Sequence, residues 1–262
     1  MDLPPDLWST LTNRRLDPVR TGESGAFVWK CVGAGPAWYL KAAPVAAGLR
    51  LDHEAARLQW MHARQLLVPA VVRYMNAGGA EYLLTEEAAG QPASAQEWSS
   101  RQADVAIALG RCLAGLHSVD TVGCPFDRRI SVQLDEARLR IAAGEVREDD
   151  FDASRHGRTA TDLFAELLTM VPECEDLVFV HGDFCLPNIL LSAHASRAVH
   201  VTGLIDCGRA GIGDRHQDLA LAIRSLTYNL GSEAVAPFLA SYGRPSIDPR
   251  TTKFFTVLDE FF

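Results

Sequence analysis

Cysteine is sparse and unpatterned in this chain. Six occur among 262 residues (Cys31, Cys112, Cys124, Cys174, Cys185 and Cys207), and no two form a CxxC pair. That spacing excludes a zinc ribbon or a disulfide framework and leaves free thiols in a reducing compartment as the expectation. Basic charge is also in deficit, with 25 Lys and Arg against 33 Asp and Glu and a net charge of −8. Nucleic-acid phosphates need a basic surface, so no such partner is expected. A cationic partner fits this balance, and so does ordinary solubility charge. No apolar run approaches the roughly 18 residues of a membrane span. The opening Met1-Asp2-Leu3-Pro4-Pro5 lacks the basic and then apolar regions of a secretory signal, so a cytoplasmic protein without a membrane partner is expected. Repeats and low-complexity linkers are absent. So are GxxxxGK[ST], GxGxxG, GxSxG and HExxH, which removes support for P-loop, Rossmann and common hydrolase sites.

What remains is a globular composition, 48% apolar and 22% charged, with enough material for one large domain or two small ones. Apolar β-rich runs crowd the first third: Ala26 to Val32, Ala37 to Ala42, Ala70 to Tyr74 and Tyr82 to Thr85. Gly33-Ala34-Gly35-Pro36 makes a hairpin turn between the first two. Leu51, Ala55, Leu58 and Met61 recur at helical spacing. Beyond them the pattern turns helical. Ser94-Ala95-Gln96-Glu97 fits a capping box ahead of a long helix marked by Val105, Leu109, Leu113 and Leu116. Further helices are expected from Ser131 to Ala143, Thr161 to Thr169 and Asp214 to Thr227, with another opening at Asp248-Pro249. Short apolar runs separate them: Leu177 to Val180, Ile189 to Leu191 and Val201 to Ile205. The expected class is α+β, with an antiparallel sheet lobe at 1–87 and a helix-rich lobe at 88–262. Glu86 to Pro92 would be the hinge.

The strongest chemical signal is Val180-His181-Gly182-Asp183-Phe184-Cys185-Leu186-Pro187-Asn188-Ile189-Leu190-Leu191, a polar loop between two apolar strands. A third apolar strand then ends in a carboxylate, Gly203-Leu204-Ile205-Asp206-Cys207-Gly208-Arg209. Two acids and an amide at strand ends offer hard oxygen ligands of the kind Mg²⁺ takes together with phosphate oxygens. Any one of these residues alone also reads as a turn former.

In this order they resemble the kinase-like small-molecule phosphotransferases, whose HGDxxxxN stands where protein kinases have HRDxxxxN and whose IDxGR stands where they have DFG. More narrowly, the chain resembles the aminoglycoside 3′-phosphotransferases. That resemblance rests on Gly22-Glu23-Ser24-Gly25-Ala26-Phe27-Val28, on the His181 to Asn188 loop, on Ile205 to Ala220, and on the ending Leu258-Asp259-Glu260-Phe261-Phe262. It implies a two-lobed protein-kinase-like fold and transfer of the γ-phosphate of ATP, or of GTP, to a cationic aminoglycoside such as kanamycin or neomycin. Under it Asp183 takes the acceptor hydroxyl's proton, and Asn188 and Asp206 hold Mg²⁺. Lys41 contacts the α- and β-phosphates and pairs with Glu54. Ser24 lies by the triphosphate in the turn before the first long strand, and the backbone of Glu86 to Ala88 meets the nucleobase. On residue type alone, Lys41 reads more readily as a solvated strand lysine.

The same resemblance places Asp150, Arg209, Asp259, Glu260 and Phe262 at the acceptor site, with Arg209 ordering neighbouring acids. The acidic run Glu145 to Asp152 otherwise reads as a solvated face. Asp259 and Glu260, flanked by Leu258, Phe261 and Phe262, look anchored. At about 4 Å a unit pair attracts by roughly 1 kcal/mol in water and 4 at an effective dielectric near 20, so a few partly buried acids would select a polyamine. Two positions depart from the relatives' pattern: Ala153 and Tyr228 stand where a further acid is common. His117 reads as a core or capping histidine and His181 as a loop-shaping one. Asp214 and Asp218 read as loop braces, and Cys185 and Cys207 lack a base that would make them nucleophiles. Kinases of the same fold acting on another hydroxyl, a macrolide or choline remain alternatives, as does a nucleotide-binding module without catalysis. A monomer or weak dimer is expected.

Overall fold

The computed structural model of the chain describes residues 3–19, 25–193 and 198–262. It divides into two compact units, Met1–Gly90 with Thr202–Gly208 and Gln91–Val201 with Arg209–Phe262. The 202–208 segment, which the sequence division at 87/88 assigns to the second lobe, clusters with the first. Its bonds explain this. Leu204 N donates to Leu67 O at 2.6 Å, Thr202 Oγ1 donates to Ala89 O, and Asp206 pairs with Lys41.

The first unit is built on a five-stranded antiparallel sheet of order β1-β2-β3-β5-β4, from β1 (Arg15–Val19), β2 (Phe27–Val32), β3 (Trp38–Pro44), β4 (Val71–Ala77) and β5 (Ala80–Glu86). β2 and β3 form the expected hairpin, with Phe27 opposite Ala42 and Cys31 opposite Trp38. Side chains alternate across a strand. Leu40 and Ala42 of β3 and Ala80, Tyr82 and Leu84 of β5 therefore share one core with Leu7 and Leu11, supplied by α1 (Pro5–Thr10) and the turn after it. Lys41 and Leu83, opposite each other in the register, take the other face. There α2 (Leu51–Ala63) lies against β4 and β5.

The N-terminus of α2 has no cap of its own. Glu81 of β5, only 6% exposed, accepts the amides of Leu51 at 2.7 Å and Asp52 at 3.4 Å. A carboxylate at this end satisfies orphan donors and complements the helix dipole. Tyr74 Oη donates to the other Glu81 oxygen at 3.1 Å.

The second unit carries β6 (Gln91–Pro92), α3 (Gln102–His117), α4 (Ile130–Ala143), α5 (Ala160–Leu168), β7 (Leu177–Val180) and β8 (Ile189–Ala193), then β9 (Val199–Leu204), which runs on into the first unit. β10 (Gly211–Asp214), α6 (Arg215–Leu230), α7 (Val235–Tyr242) and α8 (Pro249–Leu258) follow. β10 pairs antiparallel with β7, and β6, β8 and β9 form a second small sheet. The main core joins α4, α5, α6 and α8 around Leu163, Leu167, Phe254, Phe255 and Phe261. It holds the end of the chain in place.

The capping-box expectation at Ser94 is corrected. Gln96–Trp98 is a short 3-10 turn with Trp98 buried, and α3 starts later, at Gln102, with no side-chain cap. Pinning the indole in the core ends that turn before a helix can propagate. Asp248, by contrast, does cap α8, accepting the amides of Arg250 and Thr251. Several elements escape a sequence reading, α1 and the two-residue β6 among them. β1 is an edge strand holding Pro18, whose missing N–H is tolerated only at an edge. β10 reads as a turn because of its glycines, but added Cβ atoms at Gly211 and Gly213 would sit 2.8 and 2.9 Å from the Phe126 and Arg128 carbonyl oxygens. α7 packs against α3 at Gly110, where a Cβ would meet Phe238 O at 2.4 Å.

Candidate active site

In the first unit, the central strand and the adjoining helix meet at one ammonium group. Lys41 Nζ lies 2.9 Å from Glu54 Oε2 and 2.8 Å from Asp206 Oδ1. The Lys41 side chain is 18% exposed, Glu54 9% and Asp206 40%. Burial alone would lower the lysine's pKa, but the two carboxylates outweigh it and hold the group firmly protonated. Asp206 follows β9 with φ +59. Asp tolerates this left-handed conformation better than most residues. Glu86 ends β5, its amide donating to Ala70 O at 2.9 Å, and the next amide, Glu87 N, donates to Ala37 O at 2.9 Å. Glu87 also pairs with Lys30 at 2.6 Å. Ala88 follows directly, and Ser24 lies outside the described residues.

In the second unit, the loop after β7 is held on every side. Asp218 of α6, fully buried, accepts the amides of His181 at 2.7 Å and Gly182 at 2.9 Å. Gln217 Nε2 donates to the Gly182 carbonyl at 2.9 Å, and Gln133 Nε2 fixes Gln217 at 2.9 Å. Leu186 N donates to Ser225 Oγ at 2.9 Å. α6 thus supplies three side chains to this one loop. Asp218 is a brace, and Asp214, the N-cap of α6, also accepts the Asp176 amide.

Asp183 itself is partly exposed at the start of the loop. Asn188, in a 3-10 turn at Leu186–Asn188, donates Nδ2 to Asp183 Oδ2 at 2.8 Å and to Asp183 O at 3.1 Å. The Asn188 amide nitrogen is thereby committed to Asp183, which turns its carbonyl oxygen the other way as an acceptor. His181 Nδ1 receives the Asp183 amide at 3.3 Å, so this histidine shapes the loop. Burial pushes the Cys185 thiol well above its usual range, and the Asp183 carboxylate adds to the effect, so it stays a neutral thiol. Cys112, pushed up to about 12 by burial, is inert in the same way.

Gly182 is the loop's steric requirement. Its φ is +85, and a Cβ would sit 2.2 Å from the Arg209 carbonyl oxygen. Gly182→Ala is therefore expected to displace the loop or the Arg209 backbone, costing about 1–3 kcal/mol in stability. Urea denaturation and activity measured together check this, and unchanged values for both would show that the close approach is not real.

The third cluster gathers at the end of the chain. Asp259 Oδ1 takes Arg209 Nη1 at 2.8 Å and its Oδ2 takes Arg224 Nη2 at 2.5 Å. Burial would raise this carboxyl's pKa, but the two guanidiniums win and hold it below the usual range. Glu260 pairs with Arg155 at 2.6 Å and accepts the Asp152 amide at 3.0 Å. Burial still holds its carboxyl above the ordinary value. The Phe262 ring lies 4.9 Å from the Arg209 guanidinium carbon. Arg209, Asp259, Glu260 and Phe262 therefore share one locality. Asp150 stands apart in an exposed pair with Arg147 at 2.7 Å, and its neighbour Asp152 is the residue that reaches Glu260. Ala153 opens the 3-10 turn at Ala153–Arg155, and Tyr228 on α6 is 89% exposed. Arg224, one turn before it, is a member of this cluster that sequence reasoning missed. Its signal in the sequence is an arginine one turn after the apolar Ala220 and Leu221. Among the described residues, no group of three or more His, Cys, Asp and Glu side chains is placed to hold a metal ion.

With the geometry in view, the chain can be set beside known proteins. The model of the phosphotransferase enzyme family matches residues 16–255. An aminoglycoside 3′-phosphotransferase of Streptomyces fradiae is 40% identical over 255 residues, covering 93% of this chain and 94% of its own length. The crystal structure of an aminoglycoside 3′-phosphotransferase of type VIII superposes with a TM-score of 0.88 at 38% identity, covering 98% of this chain and 97% of that one. The aminoglycoside phosphotransferase APH(3″)-Id of Streptomyces rimosus, solved with ADP and streptomycin, gives a TM-score of 0.82 at 25% identity, covering 97% and 95%. This chain is thus an α+β enzyme that belongs to the phosphotransferase enzyme family, with aminoglycoside 3′-phosphotransferases among its relatives.

Proposed function

We propose that the chain phosphorylates the 3′-hydroxyl of kanamycin- or neomycin-type aminoglycosides with ATP and so confers resistance to them. The observation that carries this reading is the Asp183–Asn188 contact in a loop clamped by α6, in a chain 40% identical over nearly its whole length to a relative of that name. Asp183 is the base. It orients the acceptor hydroxyl and accepts its proton as the oxygen attacks the γ-phosphorus. Lys41, held by Glu54, meets the α- and β-phosphates as a fixed cation. The backbone at Glu86 and Ala88 meets the nucleobase, and Ser24 closes over the triphosphate. The 1–87 portion serves the nucleotide and 88–262 the acceptor.

Asn188 and Asp206 fit a magnesium ion by donor chemistry, an amide oxygen and a carboxylate, both hard ligands. When bound, Mg²⁺ neutralises charge on the phosphates.

The acceptor's charges set the roles of the acids. One carboxylate between two guanidiniums leaves a net positive charge, so Asp259 fixes the wall of the site with Arg209 and Arg224. Asp150 is better placed to receive an ammonium group. Its pair with Arg147 has side chains 56% and 69% exposed, and such pairs are worth only about 0–1 kcal/mol, so a ligand ammonium can replace the arginine. Glu260 and Phe262 complete the lining. No described helix is long and apolar enough to cross a membrane. With six free cysteines and a need for ATP, the place of action is the cytoplasm.

The test is direct. Purified chain with kanamycin and MgATP releases ADP only when both are present, and NMR of the product shows phosphate on the 3′-oxygen. ADP release without acceptor dependence sinks the reading. Phosphate on the 3″-oxygen favours a second reading, suggested by the likeness to the Streptomyces rimosus enzyme solved with streptomycin. Substituting GTP in the same assay fixes the donor.

A further inference from the structure

Behind the loop that carries Asp183 runs a line of polar contacts. It begins at Arg215, whose Nη1 donates to Tyr242 Oη at 2.8 Å. Tyr242 Oη lies 2.8 Å from His117 Nδ1, and His117 Nε2 lies 3.1 Å from Asp218 Oδ2. Asp218 then receives the amides of His181 and Gly182. Tyr242 and His117 are each 7% exposed and Asp218 is fully buried. The reaction described above uses neither Tyr242 nor His117.

With the His117 ring neutral, valence fixes the direction of these bonds. A carboxylate has no proton to give, so His117 Nε2 carries one and donates it to Asp218. In the neutral ring Nδ1 is then a bare acceptor. Tyr242 must donate its O–H to Nδ1, and the phenol oxygen accepts from Arg215. Every donor therefore points the same way, from Arg215 toward Asp218. The alternative tautomer would set a ring N–H against a phenol turned to the wrong side and leave a bare nitrogen facing a carboxylate. Of the two neutral tautomers, only this one satisfies both ring nitrogens.

The far end of the line matters because the Gly182 peptide sits at φ +85 with its carbonyl held by Gln217. Asp218 grips the amide of Gly182 and the one before it, and the amide that follows, Asp183 N, goes to His181 Nδ1. Turning the Asp218 carboxylate would release the two amides it holds and carry Asp183, the next residue, with them.

We propose that Tyr242 and His117 are positioning residues for Asp183, acting through Asp218 to lock the His181–Gly182 backbone in its working conformation. The proposal rests on the reading of Asp183 as the base. Tyr242→Phe removes one hydroxyl and keeps the ring that stacks on Phe238, with centroids 6.5 Å apart. The expected result is a kcat lower by about tenfold, part of the ~10²-fold that a misplaced reacting group can cost, with KM for ATP and for kanamycin changed less than about twofold. Exchange of the His181 and Gly182 amides, followed by NMR in the free protein, should quicken while that of Val178 in β7 does not. Should Tyr242→Phe fail to fold, Arg215→Gln removes the outermost link together with the Arg215–Asp176 ion pair and should move the same readouts in the same sense by a smaller factor. A lower unfolding temperature with kcat and both amides unchanged would reduce the line to a packing feature and overturn the proposal. The exchange measurement needs no substrate. It therefore decides the role of Tyr242 even if kanamycin is not turned over, in which case only the assignment of Asp183 chemistry falls.

Discussion

Asp183→Asn should lower kcat by roughly 10² to 10⁴ while leaving the fold intact, because the substitution keeps the shape of the side chain and removes the proton acceptor. In the native loop Asn188 donates to Asp183 Oδ2 at 2.8 Å, and on the proposed reading the carboxylate receives the acceptor's proton. The mutant amide can turn its own carbonyl toward Asn188 and preserve that bond, which is why KM and thermal stability should hardly move. Transfer to an oriented hydroxyl still gains from positioning and from charge stabilisation by Lys41, so a residual rate above background is expected. Steady-state kinetics with kanamycin, paired with a thermal melt, check both halves. A mutant at full kcat would show that the proton leaves by another route.

Asp259→Ala should be the most destabilising single change at the site. It strips the shared partner from Arg209 and Arg224 and leaves two guanidiniums side by side. Breaking a buried ion pair costs about 3–5 kcal/mol, and the low end applies here because both arginines keep part of their side chains in water. For a chain of this size that corresponds to a fall in Tm of roughly 6–12 °C. The effect has a pH signature. The folded pKa of Asp259 lies below its unfolded value, so its contribution is fully present above the unfolded pKa and is lost as pH falls through the folded one. Native and mutant proteins should therefore converge in stability toward the acid limb. A constant gap between their denaturation midpoints from neutrality down through the acid range would contradict the ion-pair account. Melts of both proteins across that range provide the data.

Much of the architecture could be read from periodicity. The β2–β3 hairpin, α2, α4, α5, α6 and the start of α8 stand within a few residues of their sequence-based positions, because each carries a local signal, an apolar repeat, a turn or a cap, that survives without tertiary help. Among the elements that escaped, β1, β10 and α7 are ones whose local signals point elsewhere. Pro18 argues against a strand, Gly211 and Gly213 argue for a turn, and the glycines are explained only by backbones that approach them from distant segments. The site divides in the same way. Asp183, Asn188 and Asp206 stand out through motif spacing, whereas Lys41 is singled out only by the family resemblance. The clasp on Asp259 joins residues 50 and 35 positions apart along the chain, and nothing local marks Arg224 as its second arm. Glu81 is a similar case. In sequence it is the polar member of an alternating strand, yet it is among the more deeply buried carboxylates of the first unit.

Glu81 also bears on how the enzyme is governed. The helix that carries Glu54 is bolted at its origin to β5, which is hydrogen-bonded along its length to the strand that carries Lys41. Swinging that helix outward, a simple way to switch such a lysine off, would expose a buried carboxylate and strand two amides at once. The acid that steadies Lys41 is therefore tethered through the first turn of its helix to the same sheet that carries the lysine, and the two travel together.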